Sequence, residues 1–588
     1  MAFKVTKFIA SFLFFDHHLI ITTTWGFLNF YKKINKLFFG FLLLILGISC
    51  NDDFNEINKD NQGFDVEDVS AKFFLTGSQF GLYAPNRTPY WRAFLIYADR
   101  FSGHAAFGST ISAFDDGFCY NFNIGVSDIV YNWMAGHFGN IKSFGDLTKP
   151  GGDFENEYMY AMSLIMKGLY FQMYTETYGM VSFSEAGVDG ILTPKYDTQK
   201  DVYKGIIADL DAAMATIGDA DRTGTGINDV GSNDVYCGGD LQQWKRLANT
   251  LKLRIGMRAL GAPGDDFANG AITAALSAPL LGVDDSVLMA KDYEISEWTS
   301  SSYGDVWHDF GGTIANWTIG DNLINLLDDN NDPRLAKYAK PVGGGSFLYS
   351  DPGGDPNYAD RLNLVIQTLD DANANYTINT SGADTTIDVE SGQFIGQPVR
   401  ANAETKSFLH TDIFSYPSDA IIQPRGQQAV GYPEIIFSSA NSYFLQAEAA
   451  LRGIGSGDAQ ALYEAGITEA MTMWGLSEGD ATTYINNEAM GDISTGTMEE
   501  KLEKIALQRY IASYTDSFEA WAIVRKTGYP SELTAGVANT NVFALGELNG
   551  AYPQRLRYGS GAQANPNYTT AVSSQGADVQ GTTLWFAQ

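Results

Sequence analysis

PEIIFSSANSYFLQAEAALRGIGSGDAQALYEAGITEAMTMW, residues 433–474, sets apolar residues at three- and four-residue steps on both sides of one glycine-rich break. From 434 to 452 this spacing predicts a helix with Phe437, Tyr443, Phe444 and Ala447 turned inward. Gly453-Ile-Gly-Ser-Gly457 interrupts it. Asp458 is placed to cap a second helix, from 459 to about 474, because its carboxylate accepts the N–H groups a helix start leaves unpaired. Small side chains at Ala447, Ala449 and Ala450 let two antiparallel helices cross closely, the logic of a tetratricopeptide (TPR) hairpin. Residues 498–513 and 518–525 read as another pair.

The same period appears upstream. Residues 155–178 (ENEYMYAMSLIMKGLYFQMYTETY) form an apolar helix that Gly179 stops. Residues 198–217 are amphipathic, with Val202, Ile206, Leu210 and Met214 on one stripe. Residues 241–260 carry Trp244, Leu247, Leu251, Leu253 and Met257, with Lys245, Arg246, Lys252, Arg254 and Arg258 on the remaining faces. No strict repeat of about 34 residues is visible, so the TPR character is degenerate. The fold class is mainly α, a scaffold of TPR-like helical hairpins over about 155–280 and 433–530. Between these blocks, over about 284–425, helical period weakens and Gly, Asp, Asn and Thr become frequent. Trp298, Tyr303, Trp307, Trp317, Tyr349 and Tyr358 are scattered through it. Long loops on a rigid scaffold are where binding residues sit.

The 588 residues include 38 basic and 69 acidic ones, a net charge of −31. Residues 1–49 hold five lysines and a single aspartate, so from Cys50 onward 33 basic residues face 68 acidic ones. Such a surface repels phosphate backbones and disfavours nucleic acid as a partner. It suits a large exocellular protein kept soluble by charge. Of the three cysteines, Cys119 and Cys237 lie far apart in the body; a disulfide between them and two buried thiols are both open.

Lys32, Lys33 and Lys36 precede the apolar run 37–46, and Gly47-Ile-Ser-Cys50 follows it. A basic start, a short apolar core and small residues make a signal peptide, too short for a comfortable membrane span. Its end at a cysteine resembles a lipobox, with Gly47 where that motif prefers Leu, Ile or Val; Cys50 is then lipidated. Residues 1–49 are accordingly expected to be a signal peptide, with an upstream extension over about 1–30. Residues 50–62 are an acidic linker and 63–588 one domain. Asn51-Asp-Asp53 resembles the signal that sends lipoproteins of the Bacteroidetes to the outer leaflet, facing the medium.

Several stretches then match one family in order. They begin with Lys195-Tyr-Asp-Thr-Gln-Lys-Asp-Val-Tyr203 running into Ile206-Ile-Ala-Asp-Leu210. Next come Gly239-Asp-Leu-Gln-Gln-Trp-Lys-Arg-Leu-Ala-Asn-Thr-Leu-Lys-Leu-Arg-Ile-Gly-Met-Arg258 and Asn331-Asp-Pro-Arg-Leu335. Tyr443-Phe-Leu-Gln-Ala-Glu-Ala-Ala-Leu-Arg-Gly453 follows, then Lys501-Leu-Glu-Lys-Ile505, Glu519-Ala-Trp521 and Arg525-Lys-Thr-Gly-Tyr-Pro530. Behind a lipoprotein signal, this series resembles the SusD/RagB family, in its SusD-like branch, over about residues 50–560. The resemblance implies a TPR-like scaffold with loops and short strands packed on one side. It also implies an outer-membrane lipoprotein that captures oligosaccharides or peptides and acts as the lid of a SusC-like TonB-dependent transporter. The matching motifs read as structural: Trp244 as core, Arg254 and Arg258 as partners of carboxylates or carbonyls, Asp332-Pro-Arg334 as a turn after a helix at 321–327. Glu448 and Arg525 are a candidate buried pair.

Catalytic constellations are missing from the sequence. After residue 50 the histidines are His104, His137, His308 and His410, with no zinc spacing among them, and each reads as a packed or surface side chain. No nucleophile elbow, phosphate loop or dinucleotide fingerprint occurs. Asp219, Asp221, Asn228 and Asp229 in one loop, and Asp328, Asp329, Asn331 and Asp332 in another, alternate oxygen donors as calcium loops do. Neither reaches EF-hand spacing, and turns and caps account for both; no other cofactor is expected. A sugar site needs aromatic faces edged by polar groups. Tyr83, Tyr90 and Trp91 with Asn86 and Arg87 form one candidate group. Trp298, Tyr303, Trp307 and Trp317 with Asp305 and Asn316 form the other. Each ring taken singly reads as core, but the set is expected to supply at least one to the ligand. The sequence thus predicts a glycan-binding lipoprotein that is not an enzyme; a peptide ligand, a lipid-anchored glycoside hydrolase and a bare TPR adaptor are the alternatives.

Overall fold

Side chains that accept backbone N–H groups start most of the long helices. The computed structural model describes residues 70–107, 124–309, 317–425 and 432–588, apart from 292, 352, 538 and 544. The first helices are α1, Lys72–Tyr83, and α2, Ile124–Thr148. Asn156 then caps α3, Glu157–Tyr178; Thr198 caps α4, Gln199–Ile217; Asp240 caps α5, Leu241–Ala259. Gly179, with φ +85°, stops α3 where a side chain would be strained. These bounds follow the sequence expectations within two residues.

After α6, Ala268–Leu276, the chain passes through α7, Tyr303–Asp309, α8, Asp321–Asp328, and α9, Tyr358–Asp371. The second helical block comprises α10, Ser439–Leu451, α11, Ala459–Thr472, α12, Glu478–Asn487, α13, Met498–Ala512, and α14, Ser517–Thr527. Asp458 caps α11 as expected, and Thr497 with Glu500 forms a reciprocal capping box on α13. Helix α3 packs along α2 and α4, α5 along α4 and α6, and α10 along α11 and α13, with α5 joining the two blocks through α10.

Two expectations are corrected. Residues 434–437 are not the first turn of a helix. Glu434–Phe437 is a fully buried strand, β7, paired antiparallel with β2, Val287–Met289. Four residues are too few to separate a helical stripe from a buried strand, and the β-branched Ile435-Ile436 favours the strand. Ser438 then caps α10, accepting the Asn441 N–H at 3.2 Å.

The 284–425 region is more regular than its composition suggests. Strand β1, Ala105–Phe107, pairs with β3, Trp317–Ile319. Strands β4, Gly345–Ser350, β5, Tyr376–Ser381, and β6, Asp384–Val389, form an antiparallel sheet in the order β4-β6-β5. On β6, Thr385, Ile387 and Val389 point inward while Asp384 and Asp388 are exposed, an alternation with period two. The inner face packs against Val365 and Leu369 of α9. This sheet core is separate from the large core under α1–α6 and from a second helical core of α10–α13.

Charged residues penetrate the helical core. Arg254 and Arg258 on α5, Arg509 on α13 and Glu519 on α14 are all buried. Glu519 meets Arg258 at 2.6 Å, Arg509 at 3.2 Å and Arg254 at 3.7 Å. Glu176 on α3 adds a second carboxylate, 3.4 Å from Arg258 and accepting the Tyr203 hydroxyl at 2.8 Å. Burial would raise the Glu519 pKa, but the charges of Arg258, Arg254 and Arg509 outweigh it and hold the carboxyl below its ordinary value. The expected Glu448–Arg525 pair is not formed. Glu448 serves Arg509 and Arg452, while the Arg525 guanidinium stacks 3.7 Å from the Trp521 ring and donates to the Gln554 carbonyl.

Removing Glu519 leaves three buried cations short of a counter-charge. Glu519→Ala is expected to cost about 3–5 kcal/mol, measurable by urea unfolding. The histidines set a pH window. Burial lowers His104 to about 3 and His137 to about 4, from an ordinary 6.5. Below the ordinary value the unfolded chain takes up protons that the folded one refuses, so the contribution of these two side chains falls as pH drops from 6.5 toward 4, while Asp321 and Asp516, which burial raises to about 7 and about 8, act in the opposite direction. Each histidine contributes up to about 1.4 kcal/mol per pH unit. Replacing His104 with phenylalanine should remove its share, so the melting temperature of the variant relative to wild type should rise as pH drops over that range.

Candidate ligand-binding site

The two aromatic groups picked out in the sequence meet in space. Asn86 accepts the Thr88 N–H at 3.0 Å and caps the short helix Arg87–Tyr90, which continues as a wider π-helical segment, Trp91–Asp99. The Arg87 N–H donates to the Glu297 carbonyl at 2.8 Å, and the Ser301 N–H donates to the Pro85 carbonyl at 2.9 Å. The Arg87 side chain pairs with Asp309 and lies 4.1 Å from the centre of the Trp298 ring. Trp298 is 58% exposed, so most of the ring remains open to a ligand.

Below this surface the other rings are core, and their assignment to the ligand is corrected. Tyr83, Tyr90, Tyr303, Trp307 and Trp317 are all buried. The Tyr90 hydroxyl donates to Glu434 at 2.8 Å and Tyr303 donates to Asp99 at 2.9 Å. Trp317 lies 5.4 Å from Tyr303 and 5.7 Å from Trp307. Such rings offer no face to solvent. They sit on inward positions of α1, the Arg87–Tyr90 helix, α7 and β3, and a count of aromatics does not say which side of an element is covered. Trp91 is half-buried, with the Arg92 guanidinium 4.2 Å from its ring. Asn316 lies outside the described residues.

Arg425 holds the Trp298 loop. It donates to Asp305 at 2.8 Å, to the Ser300 carbonyl at 3.1 Å, to the Tyr293 carbonyl at 3.2 Å and to the Ile295 carbonyl. Gly304 makes this approach feasible: a Cβ there would sit 2.0 Å from the Gln423 carbonyl oxygen. Nearby, Lys291 pairs with Glu434 under the Tyr90 ring. The platform therefore stands on a floor tied by ions and hydrogen bonds.

Beside the platform a cleft of about 420 Å³ opens between α1, α2 and the 295–300 loop. Asn86, Asn132, Asn140, Thr299 and Ser300 supply polar groups and Trp133 an apolar wall. The Trp133 indole donates to the Gly81 carbonyl at 3.0 Å, which fixes its plane. The sequence analysis missed Trp133, Asn132 and Asn140. Their signal was a polar and small stripe at 132, 136 and 140, one helical face of α2. A volume in this range, with an aromatic wall and amide groups, suits a small polar ligand such as a sugar.

His308 bonds the Ile422 carbonyl at 2.8 Å and His410 the Leu348 carbonyl at 3.1 Å. Among the described residues no three acidic, histidine or cysteine groups converge as a metal site requires. The suggested calcium ligands Asp219, Asp221 and Asp328 are thus not brought together, and Asp332 is occupied. Its carboxylate grips Arg334, both fully buried, and Arg334 also donates to Gln508 at 2.8 Å. Cys237 is buried, and burial pushes its thiol well above the ordinary value. Cys50 and Cys119 lie outside the described residues.

Platform and core rings should separate on substitution. Trp298→Ala is expected to leave stability within about 0.5 kcal/mol. Trp307→Ala should cost about 3–5 kcal/mol through the cavity it opens. Thermal unfolding of the two variants checks both.

The sequence matches the family described as "Starch-binding associating with outer membrane", SusD-like, over residues 65–348 and 356–559. No curated protein matches significantly. Among solved structures, a chitin-binding protein superposes with a TM-score of 0.67 at 23% identity, covering 88% of this chain and 100% of that one. A chitin-binding SusD homolog from Flavobacterium johnsoniae gives 0.64 at 23% identity, over 88% and 98%. A SusD homolog from Bacteroides uniformis gives 0.66 at 18% identity, over 88% and 99%. At these identities the likeness establishes the helical fold.

Proposed function

Because the chain belongs to the SusD-like family, described as starch-binding and associating with the outer membrane, we propose that it captures nutrient oligosaccharides at the cell surface without cleaving them. The observation that carries this reading is the Trp298 platform, backed by Arg87 and set beside the Asn86–Trp133 cleft. A pyranose ring lays its C–H face on the indole, and its hydroxyls reach the amides of Asn86, Asn132 and Asn140 and the hydroxyl of Thr299. The chitin-binding proteins of the same fold point to a β-linked glycan as a ligand class worth testing beside starch.

Binding without hydrolysis accords with the nearby carboxylates. Glycosidic cleavage takes two carboxyl groups facing one bond. Here Asp309 serves Arg87, Asp305 serves Arg425, and Asp99 is buried under Tyr303. The anchor in this proposal is lipid on Cys50, with the protein facing outward and acting as the lid of a SusC-like TonB-dependent barrel that takes the cargo inward. Among the described residues no helix is long and apolar enough to cross a membrane.

The full chain in detergent should bind a malto- or a chito-oligosaccharide series saturably and release no new reducing ends. Trp298→Ala should weaken that binding by about tenfold, near 1.4 kcal/mol, with the melting temperature unchanged. Release of reducing ends would favour a hydrolase, and saturable binding of peptides alone would move the ligand class. Cys50→Ser should shift the protein from the membrane to the soluble fraction.

A further inference from the structure

A larger groove lies on the other side of α2. It measures about 460 Å³ and runs between α2, α3, the 182–196 loop and residues 561–565. Its walls are aromatic: Phe138 stacks on Tyr170 with centroids 5.7 Å apart at 14°, and Tyr196 faces them. Phe138 and Tyr196 are half-buried, so each leaves part of a ring open. Lys142 and Asn565 edge the groove; Lys142 is tied to Asp146 and Asn565 donates to the Pro194 carbonyl at 2.8 Å.

Gly136 lines both this groove and the Asn86–Trp133 cleft. A Cβ at Gly136 or Gly139 would meet nothing within 4 Å, so the helix crest between the two hollows is bare backbone in open space. Gly in an exposed helix interior costs roughly 0.5–1 kcal/mol relative to Ala, and no packing contact here calls for it. What the two glycines do provide is a low pass between the hollows. Aromatic faces with few charges fit the C–H faces of neutral sugar rings better than a charged chain.

We propose that this groove is a second sugar subsite, which holds the distal units of an oligosaccharide whose first units fill the Asn86–Trp133 cleft, with the chain crossing α2 at Gly136. The inference rests on the glycan reading above and extends it to ligand length. Phe138 and Tyr196 stack the distal rings, and Lys142 donates to their hydroxyls.

The test is calorimetric titration of the full chain in detergent with malto- and chito-oligosaccharides, from disaccharide to hexasaccharide. Wild type should gain at least about tenfold in affinity with length. Gly139→Trp, which plugs the groove, should abolish that gain and leave disaccharide affinity unchanged, whereas Gly139→Ala should keep it. Phe138→Ala, a second route to the same end, should lower hexasaccharide affinity about threefold with the disaccharide unaffected. Equal affinity of wild type for both lengths, or a length gain that survives Gly139→Trp and Phe138→Ala, overturns the second subsite and leaves the glycan reading standing. Failure of wild type to bind either series at any length overturns both.

Discussion

One carboxylate, that of Glu519, meets three buried guanidinium groups, and the helical scaffold is arranged around that junction. Arg254 and Arg258 come from α5, Arg509 from α13 and Glu519 from α14, with Glu176 of α3 as the second anion. Desolvating such charges costs several kcal/mol each unless partners are in place. Arg509 is only 10 residues from Glu519, but Arg258 is 261 residues from it, so the pairs that Arg254 and Arg258 make with Glu519 form only when the two helical blocks meet. The cluster therefore acts as a registration mark: α3 and α5 must meet α13 and α14 at one offset or leave ions stranded.

This also explains why the recognisable motifs are charged where they are buried. The basic residues of 239–258 look, by helical period, like a solvated face. Arg254 and Arg258 are interior and pair with carboxylates, as the motif reading expected, and Arg254 also donates to Gln172 at 2.7 Å. The helices themselves were legible because their signals are local: a capping side chain, an apolar period and a glycine stop. The partner of each arginine was not, because pairing is decided by which helices cross. Glu448 and Arg525 illustrate the failure, two plausible opposite charges that the crossing assigns to other groups. Short strands were expected from the resemblance, but the β4-β6-β5 sheet was not placed by residue, for a related reason. Its alternation is short, and Gly, Asp and Thr around it resemble loop composition.

The candidate site was legible by segment and not by residue. Both stretches, 83–91 and 298–317, lead to one place, and Trp298, Asn86 and Arg87 are at its surface. Tyr90 and Trp91 are neighbours in sequence, yet one is fully covered and the other is not. Side-chain direction at a helix start depends on the local winding, here a π-helical widening that no pattern in the sequence announces. The buried rings still matter, because they and the Lys291–Glu434 and Arg425–Asp305 pairs keep the platform from giving way under a ligand. A rigid floor lowers the ordering cost of binding.

The sheet of residues 345–389 has a hydrophobic interior of its own, shared with α9 and the 395–414 segment and not with the two helical blocks. A module with its own interior can open and close at a lower free energy than the body that carries it. It can also drift in sequence or accept inserted residues while the charge cluster stays in register. The match to the family is interrupted at 349–355, between β4 and α9, at the edge of this module. Unfolding confined to this module leaves the buried ion cluster, and the helical frame built on it, undisturbed.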